Sequence, residues 1–147
     1  MARLRALIVD DNRSLAETVG EILADEGFQV RIVTSAVEAL VLWREAAADL
    51  VVADLDLPDV DGARLARRLG SRAERCRFIL TSARPLGARA VVCEELGAEF
   101  LPKPFSPGEL REAVRRVFSR PERKFLAKGD EVRLLGPAGR PCREERS

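Results

Sequence analysis

Five apolar runs with strand character alternate with five stretches of helical character, the fourth of them only weakly amphipathic, in the first 118 residues of this 147-residue chain. The predicted strands are residues 4–9, 28–33, 50–53, 77–80 and 99–101. Consecutive parallel strands need right-handed crossovers, and the stretches between these runs are suited to form crossover helices. The pattern therefore predicts an α/β fold. We expect a doubly wound, five-stranded parallel sheet of the flavodoxin type, with strand order 2-1-3-4-5 and helices on both faces.

Capping patterns mark the starts of three predicted helices. In each, a serine precedes a glutamate by three residues, so that the two side chains can satisfy backbone amides of the first turn. The pairs are Ser14 with Glu17, Ser35 with Glu38, and Ser106 with Glu109. Gly97 is the expected end of the fourth helix, which we place from near Leu86 to Leu96.

Composition narrows the class of protein. A hydrophobic content of 46% and a charged content of 33% are typical of soluble globular proteins, and the net charge of +1 gives no general attraction to nucleic acid or membrane. No apolar run approaches the roughly 20 residues that a membrane helix needs. The three cysteines lack C-x-x-C spacing, which predicts neither a disulfide framework nor a zinc site. We therefore expect a cytoplasmic protein without a membrane segment.

The strand and helix pattern stops after Phe118. We expect one domain over residues 1–118 and a tail over residues 119–147, in which Lys and Arg outnumber Asp and Glu. Residues 125–128 and 132–135 could form a short hairpin around Gly129. The alternative is a disordered basic extension.

Polar residues stand where the predicted strands end. Asp10 and Asp11 follow the first strand, Asp54 follows the third, Thr81 follows the fourth, and Lys103 follows the short fifth strand. Because parallel strands deliver their carboxyl ends to one edge of the sheet, these groups should meet there. Three neighbouring carboxylates need a compensating cation, and their oxygen atoms favour Mg²⁺. A carboxylate beside a divalent cation, a lysine and a hydroxyl is suited to accept a phosphoryl group.

With these residues the sequence resembles the receiver domain of two-component response regulators, from about Leu4 to Phe118. The paired acids Asp10 and Asp11 match, as does the D-x-x-x-P-x-x-D-G pattern that begins at Asp54. Thr81 and the Lys103-Pro104-Phe105 segment complete the set. The acids Asp59 and Asp61 within this pattern are expected to be solvated turn residues.

The resemblance implies a role for each matching residue. Asp54 would be the phosphoacceptor, and Lys103 and Thr81 would contact the phosphoryl oxygens. The metal site would comprise Asp11 as a direct ligand, Asp10 acting mainly through water, Asp54, and the backbone carbonyl of Asp56. Thr81 and Phe100 would form the switch, and Lys103-Pro104 corresponds to a bond that is usually cis in this family.

Two positions depart from the family pattern. Ser82 stands where Ala or Gly usually follows the switch hydroxyl, and counting forward from Asp54 could select Ser82 in place of Thr81. We prefer Thr81 because it directly follows the apolar run 78–80. Phe100 stands where many relatives carry Tyr, so its side chain lacks a hydroxyl.

The resemblance implies a phosphorylation-dependent signalling switch and not a conventional enzyme. A histidine kinase or a histidine phosphotransfer protein would supply the phosphoryl group, since this chain contains no histidine. The face formed by helix 4, strand 5 and helix 5 would then change its binding to a downstream protein or to a second copy. Too few residues follow Phe118 for a helix-turn-helix domain, so we expect no direct DNA binding.

Two alternatives remain open from the sequence. Asp54-Leu55-Asp56 also fits the D-x-D motif of haloacid dehalogenase phosphatases. However, Pro58 stands where those enzymes usually have Thr or Val, and no second acidic motif follows Lys103. The second alternative is a receiver-like scaffold that works without phosphorylation, although the complete set of acids, hydroxyl and lysine disfavours it.

Overall fold

The computed structural model describes residues 3–71, 73 and 75–121. Within them, the five strands are β1 (Arg5–Val9), β2 (Gln29–Val33), β3 (Leu50–Asp54), β4 (Arg77–Ser82) and β5 (Glu99–Pro102). The helices are α1 (Arg13–Asp25), α2 (Ala36–Glu45), α3 (Gly62–Gly70), α4 (Ala90–Leu96) and α5 (Pro107–Phe118). All pairings are parallel and the strand order is β2-β1-β3-β4-β5, which confirms the predicted fold class.

The hydrophobic core lies on both faces of the sheet. Side chains of β3 alternate between the two faces, with Leu50 and Val52 on one and Val51 and Ala53 on the other. Helices α1 and α5 cover the first face, and α2, α3 and α4 cover the second. Because both faces are covered, the loops at the carboxyl edge of the sheet are where polar groups can gather.

Some boundaries differ from the predicted ones. Helix α1 begins at Arg13, because the side chain of Asn12 accepts the amide of Leu15 and acts as the N-cap that we assigned to Ser14. Strand β4 continues to Ser82, two residues past the predicted end at Leu80. The predicted fourth helix is divided into a single 3₁₀ turn, Gly87–Arg89, and α4. It ends as predicted at Gly97, whose φ of 62° lies in the left-handed region.

Of the other two predicted capping boxes, one is complete and one is half formed. Ser106 and Glu109 form a reciprocal capping box at the start of α5. The Ser35 side chain accepts the amide of Glu38 at α2, but the Glu38 carboxylate accepts the amide of Thr34 and not that of Ser35. In both helices the serine accepts an amide of the first turn that has no partner within the helix.

Asp59 and Asp61 have structural contacts that the solvated-turn prediction missed. Asp61 is the N-cap of α3 and accepts the amide of Ala63 at 3.0 Å. The Asp59 carboxylate accepts the amides of Ala36 and Val37 at the start of α2. A carboxylate is favourable at both places because the amino end of a helix carries partial positive charge. These two acids therefore fix the loop after β3 and the helices beside it.

No helix within the described residues is long and apolar enough to cross a membrane. The possible hairpin at 125–135 and most of the predicted tail lie outside the described residues.

Candidate functional site

Strand pairing brings the predicted site residues to one edge of the sheet. Val9 pairs with Ala53 across β1 and β3, so Asp10 and Asp54 are the next residues of adjacent strands. Asp54 in turn pairs with Thr81 of β4. The backbone amide of Lys103 donates to the carbonyl of Ser82 at 2.9 Å, which joins the segment after β5 to the end of β4. The groups come from four neighbouring strands in the predicted arrangement.

Three carboxylates meet at this edge. Oxygen atoms of Asp10, Asp11 and Asp54 lie within 4.8 Å of one another. Asp10 and Asp54 are buried, with 6% and 4% of their surface exposed, whereas Asp11 is exposed. Such a grouping carries a high density of negative charge, which is stable only when a cation or a proton compensates it.

Lys103 supplies part of that compensation. Its Nζ lies 3.0 Å from Oδ2 of Asp10 and 3.0 Å from Oδ2 of Asp54. The bond between Lys103 and Pro104 is cis, as the resemblance implied. The ammonium group therefore bridges two buried carboxylates that come from different strands.

Burial and charge pairing shift the pKa values of these groups. Burial raises the pKa of Asp10, although the amide of Asn12 and the Lys103 ammonium act against it. Burial would lower the pKa of Lys103, but its hydrogen bonds to Asp10 and Asp54 outweigh that effect and raise it. Lys103 therefore carries its positive charge throughout the physiological pH range.

The donor set fits a hard divalent cation. The three acids offer oxygen ligands from one side, and the exposure of Asp11 leaves room for water in the remaining coordination positions. Mg²⁺ characteristically takes one or two carboxylates and keeps several waters. Asp10, Asp11 and Asp54 are the side chains that could hold it, and the backbone carbonyl of Asp56 remains a ligand that only the resemblance implies.

Thr81 lies on β4, the strand next to Asp54, and Phe100 lies on β5, one strand further out. Thr81 is buried in β4, and its backbone carbonyl accepts the amide of Leu55 at 2.8 Å. Phe100 pairs with Leu80 in the register of β4 and β5 and packs, partly buried, against the core beneath α2, α3 and α4. The switch role of Thr81 and Phe100 remains a prediction of the resemblance.

A polar cluster that the sequence analysis missed adjoins the acids. The Asp56 amide donates to Oδ1 of Asp54 at 2.8 Å, and the Asp56 carboxylate faces the end of β4 and the segment after it. There it accepts the Ser82 hydroxyl at 2.6 Å, Nη2 of Arg84 at 2.6 Å and Nη1 of Arg89 at 2.9 Å. Both arginines follow β4, which is the neighbour of β3. That position was the one feature of the sequence that could have predicted their contact with Asp56.

The cations around Asp56 keep it ionised. Burial opposes the charged form, but the hydrogen bonds from Ser82 and Arg84 and the charges of Arg89 and Arg84 prevail, and the pKa of Asp56 falls to about 2. Its carboxylate is therefore committed to this cluster as an anion. The side chain of Asp56 is therefore not available to a metal ion.

Comparisons with known sequences agree with this geometry. The chain matches the response regulator receiver domain family over residues 6–115. It is 37% identical over 132 residues to the sensory transduction protein RegX3 of Mycobacterium tuberculosis, covering 89% of this chain and 58% of RegX3. It is 33% identical over 118 residues to the response regulator MprA of a Mycobacterium species, covering 80% of this chain and 51% of MprA. The chain thus spans somewhat more than half the length of these relatives.

A solved structure shows the same fold. The CheY-like receiver domain protein of Methanospirillum hungatei superimposes with a TM-score of 0.73 at 27% identity, covering 78% of this chain and 93% of that one. The family match extends from within β1 to within α5, and so includes all five strands. The family match also favours a receiver domain over a phosphatase of the haloacid dehalogenase type. On this combination of fold, strand-end residues and sequence match, the chain belongs to the response regulator receiver domain family.

Proposed function

We propose that this chain is a phosphorylation-dependent signalling switch whose phosphoacceptor is Asp54. The observation that carries the proposal is the Lys103 ammonium, 3.0 Å from both Asp10 and Asp54 beside the exposed Asp11. The site combines a buried nucleophilic carboxylate, a fixed cation and ligands for a divalent ion, as phosphoryl transfer to a carboxylate requires. A receiver-like scaffold would not need that combination.

The transfer begins with a phosphohistidine on a histidine kinase or a histidine phosphotransfer protein. An oxygen of Asp54 forms a bond to phosphorus as the phosphorus–nitrogen bond to the donor imidazole breaks, and the electron pair of that bond remains on the imidazole. Lys103 stays near the phosphoryl oxygens and balances part of their charge. A bound Mg²⁺ would neutralise further negative charge at the same place. Hydrolysis of the acyl phosphate would later reset the switch.

The phosphoryl group carries between about −1.5 and −2 of charge beside the end of β4, in place of the single negative charge of the free carboxylate. The Thr81 hydroxyl would move toward the new oxygens, and the pairing of Thr81 with Asp54 across the two strands supports this. Such a movement would free space on the side of the sheet where Phe100 packs. The face formed by α4, β5 and α5 would then change its binding to a downstream protein or to a second copy.

Thr81 and Ser82 are expected to behave differently in this switch. The Ser82 hydroxyl donates to Asp56 and accepts from the Arg84 amide and from Arg89, so its hydrogen-bonding capacity is already used. We expect Thr81→Ala to be phosphorylated but to lose the conformational response, and Ser82→Ala to change mainly the hydrolysis rate. Amide chemical shifts of β5 and α5 with and without phosphorylation measure the response. If Ser82→Ala abolishes the response and Thr81→Ala preserves it, the assignment is reversed.

We place the protein in the cytoplasm, where a histidine kinase would meet it, and we do not propose direct DNA binding by the described domain. The net charge of +1 gives the chain no general affinity for a polyanion. Its partners would be proteins: the phosphodonor at the carboxyl edge of the sheet and the target on the face of α4, β5 and α5.

Metal binding tests the site directly. We expect Asp11→Ala to weaken Mg²⁺ binding by at least about tenfold, because the metal ion loses one charged ligand. Asp10→Ala should weaken the binding less. Isothermal calorimetry measures both affinities. Asp25→Ala removes an exposed acid at the end of α1 and is the matched control, with the affinity of the wild type. Equal affinity in the wild type and in Asp11→Ala would contradict the ligand assignment.

A further inference from the structure

Two positively charged guanidinium groups surround the single negative charge of the Asp56 carboxylate. Its Oδ1 accepts three donors: Nε of Arg84 at 3.2 Å, Nη2 of Arg84 at 2.6 Å and Nη1 of Arg89 at 2.9 Å. A carboxylate oxygen offers about two lone-pair positions, so these donors share sites. Arg84 alone would balance the charge of Asp56. The second guanidinium therefore exceeds what the charge of Asp56 alone requires in the unphosphorylated protein.

Arg89 is the arginine on the inner side of this cluster. Its side chain is 19% exposed, whereas that of Arg84 is 69% exposed. Its Nη2 also donates to Ser82 Oγ at 3.1 Å, and Ser82 directly follows Thr81, the residue that pairs with Asp54. Asp56, the acid with which Arg89 pairs, donates its amide to Asp54. The guanidinium group is thus held by two residues that border the phosphoacceptor.

We propose that Arg89 is a second phosphoryl-binding residue, which Asp56 holds in the unphosphorylated protein and which moves to the phosphoryl oxygens when Asp54 is modified. This inference rests on the proposed function. A phosphoryl group carries up to about twice the charge of Asp56 and offers three acceptor oxygens. The geometry of the phosphoryl oxygens matches the planar donors of a guanidinium. Arg84 remains to neutralise Asp56 after Arg89 has moved.

The transfer would also move backbone. Nη2 of Arg89 donates to the carbonyl of Pro85 at 3.0 Å, and Arg89 ends the 3₁₀ turn that leads into α4. A shift of the guanidinium therefore pulls on the segment 85–89, at the amino end of α4. This gives phosphorylation a second connection to the face of α4, β5 and α5, beside the one through Thr81.

Beryllium fluoride, which forms a phosphoryl-like adduct with carboxylates, tests the proposal in saturating Mg²⁺. We expect Arg89→Gln to weaken its binding about tenfold, the value of one charge-assisted hydrogen bond. Asp56→Asn should bind as tightly as the wild type or more tightly, because Arg89 is released. Arg67→Gln, which breaks the exposed ion pair with Glu95 at 2.7 Å, is the control and should bind like the wild type.

The double variant Asp56→Asn/Arg89→Gln separates two roles for Arg89. If Arg89 binds the phosphoryl group, the double variant binds as weakly as Arg89→Gln. If Arg89 only neutralises Asp56, removal of Asp56 restores wild-type affinity, and the proposal is wrong.

The ¹⁵N signal of Arg89 Nε in the wild type gives a second readout that needs no variant: it should shift when the adduct forms, and an unchanged signal would overturn the proposal. Failure of the wild type itself to bind beryllium fluoride would instead count against Asp54 as the phosphoacceptor.

Discussion

Gly62→Ala should destabilise the fold by at least about 2 kcal/mol, the range typical of severe overpacking. A Cβ atom at Gly62 would lie 2.4 Å from the Cα of Leu55 and 2.6 Å from the carbonyl oxygen of Asp54. Both are backbone atoms, so no side-chain rotation can relieve the clash, and either α3 or the loop after β3 must shift. Since that loop begins at the phosphoacceptor, we also expect slower phosphorylation of whatever folded protein remains.

The effect on stability can be measured by urea unfolding, with the midpoint and slope compared between variants. Gly108→Ala is the matched control, because a Cβ there meets only Ser106 Oγ at 3.8 Å. Gly108 lies in α5, where alanine is favoured over glycine by up to about 1 kcal/mol, so this variant should be as stable as the wild type or more stable. An unfolding free energy for Gly62→Ala equal to that of the wild type would show that the close contact has no energetic consequence.

The order of the strands and the place of the site could both be predicted from the sequence. Continuous apolar runs that end at Asp10, Asp54 and Thr81 specify buried parallel strands, and strand order then decides which ends are adjacent. The register in which Val9 pairs with Ala53, and Asp54 with Thr81, brings together the groups expected to meet. These inferences succeed because they depend on periodicity and topology, which short stretches of sequence determine.

Contacts between side chains of different loops could not be predicted in the same way. The sequence places Arg84 and Arg89 after β4, but nothing in their spacing indicates that both guanidinium groups reach Asp56. The N-cap at Asn12 was missed for a related reason. Asn and Ser are both strong N-cap residues, and the Ser14–Glu17 spacing favoured the wrong one. Such choices depend on tertiary geometry, which is fixed only when the whole fold is formed.

The second large effect expected is a complete loss of phosphorylation in Asp54→Asn. Asparagine has nearly the same shape and can accept the Asp56 amide in place of the carboxylate, so the fold should be preserved. Its amide nitrogen and neutral oxygen cannot replace the nucleophilic carboxylate oxygen. The loss should therefore be a chemical effect and not an effect on folding, which the unfolding curve of the variant can confirm.

Asp59→Asn is the matched control for this variant. Asp59 lies in the same loop, and asparagine can still accept the amides of Ala36 and Val37 at the start of α2. We expect this variant to be phosphorylated like the wild type, which would show that the loss in Asp54→Asn is specific to its position.

The most direct test is the intact mass of the protein after incubation with acetyl phosphate or a phosphorylated histidine kinase. The proposal predicts that the wild type and Asp59→Asn gain the mass of one phosphoryl group only when Mg²⁺ is present, and that Asp54→Asn gains none. Full labelling of Asp54→Asn, or equal labelling of the wild type with and without Mg²⁺, would contradict it.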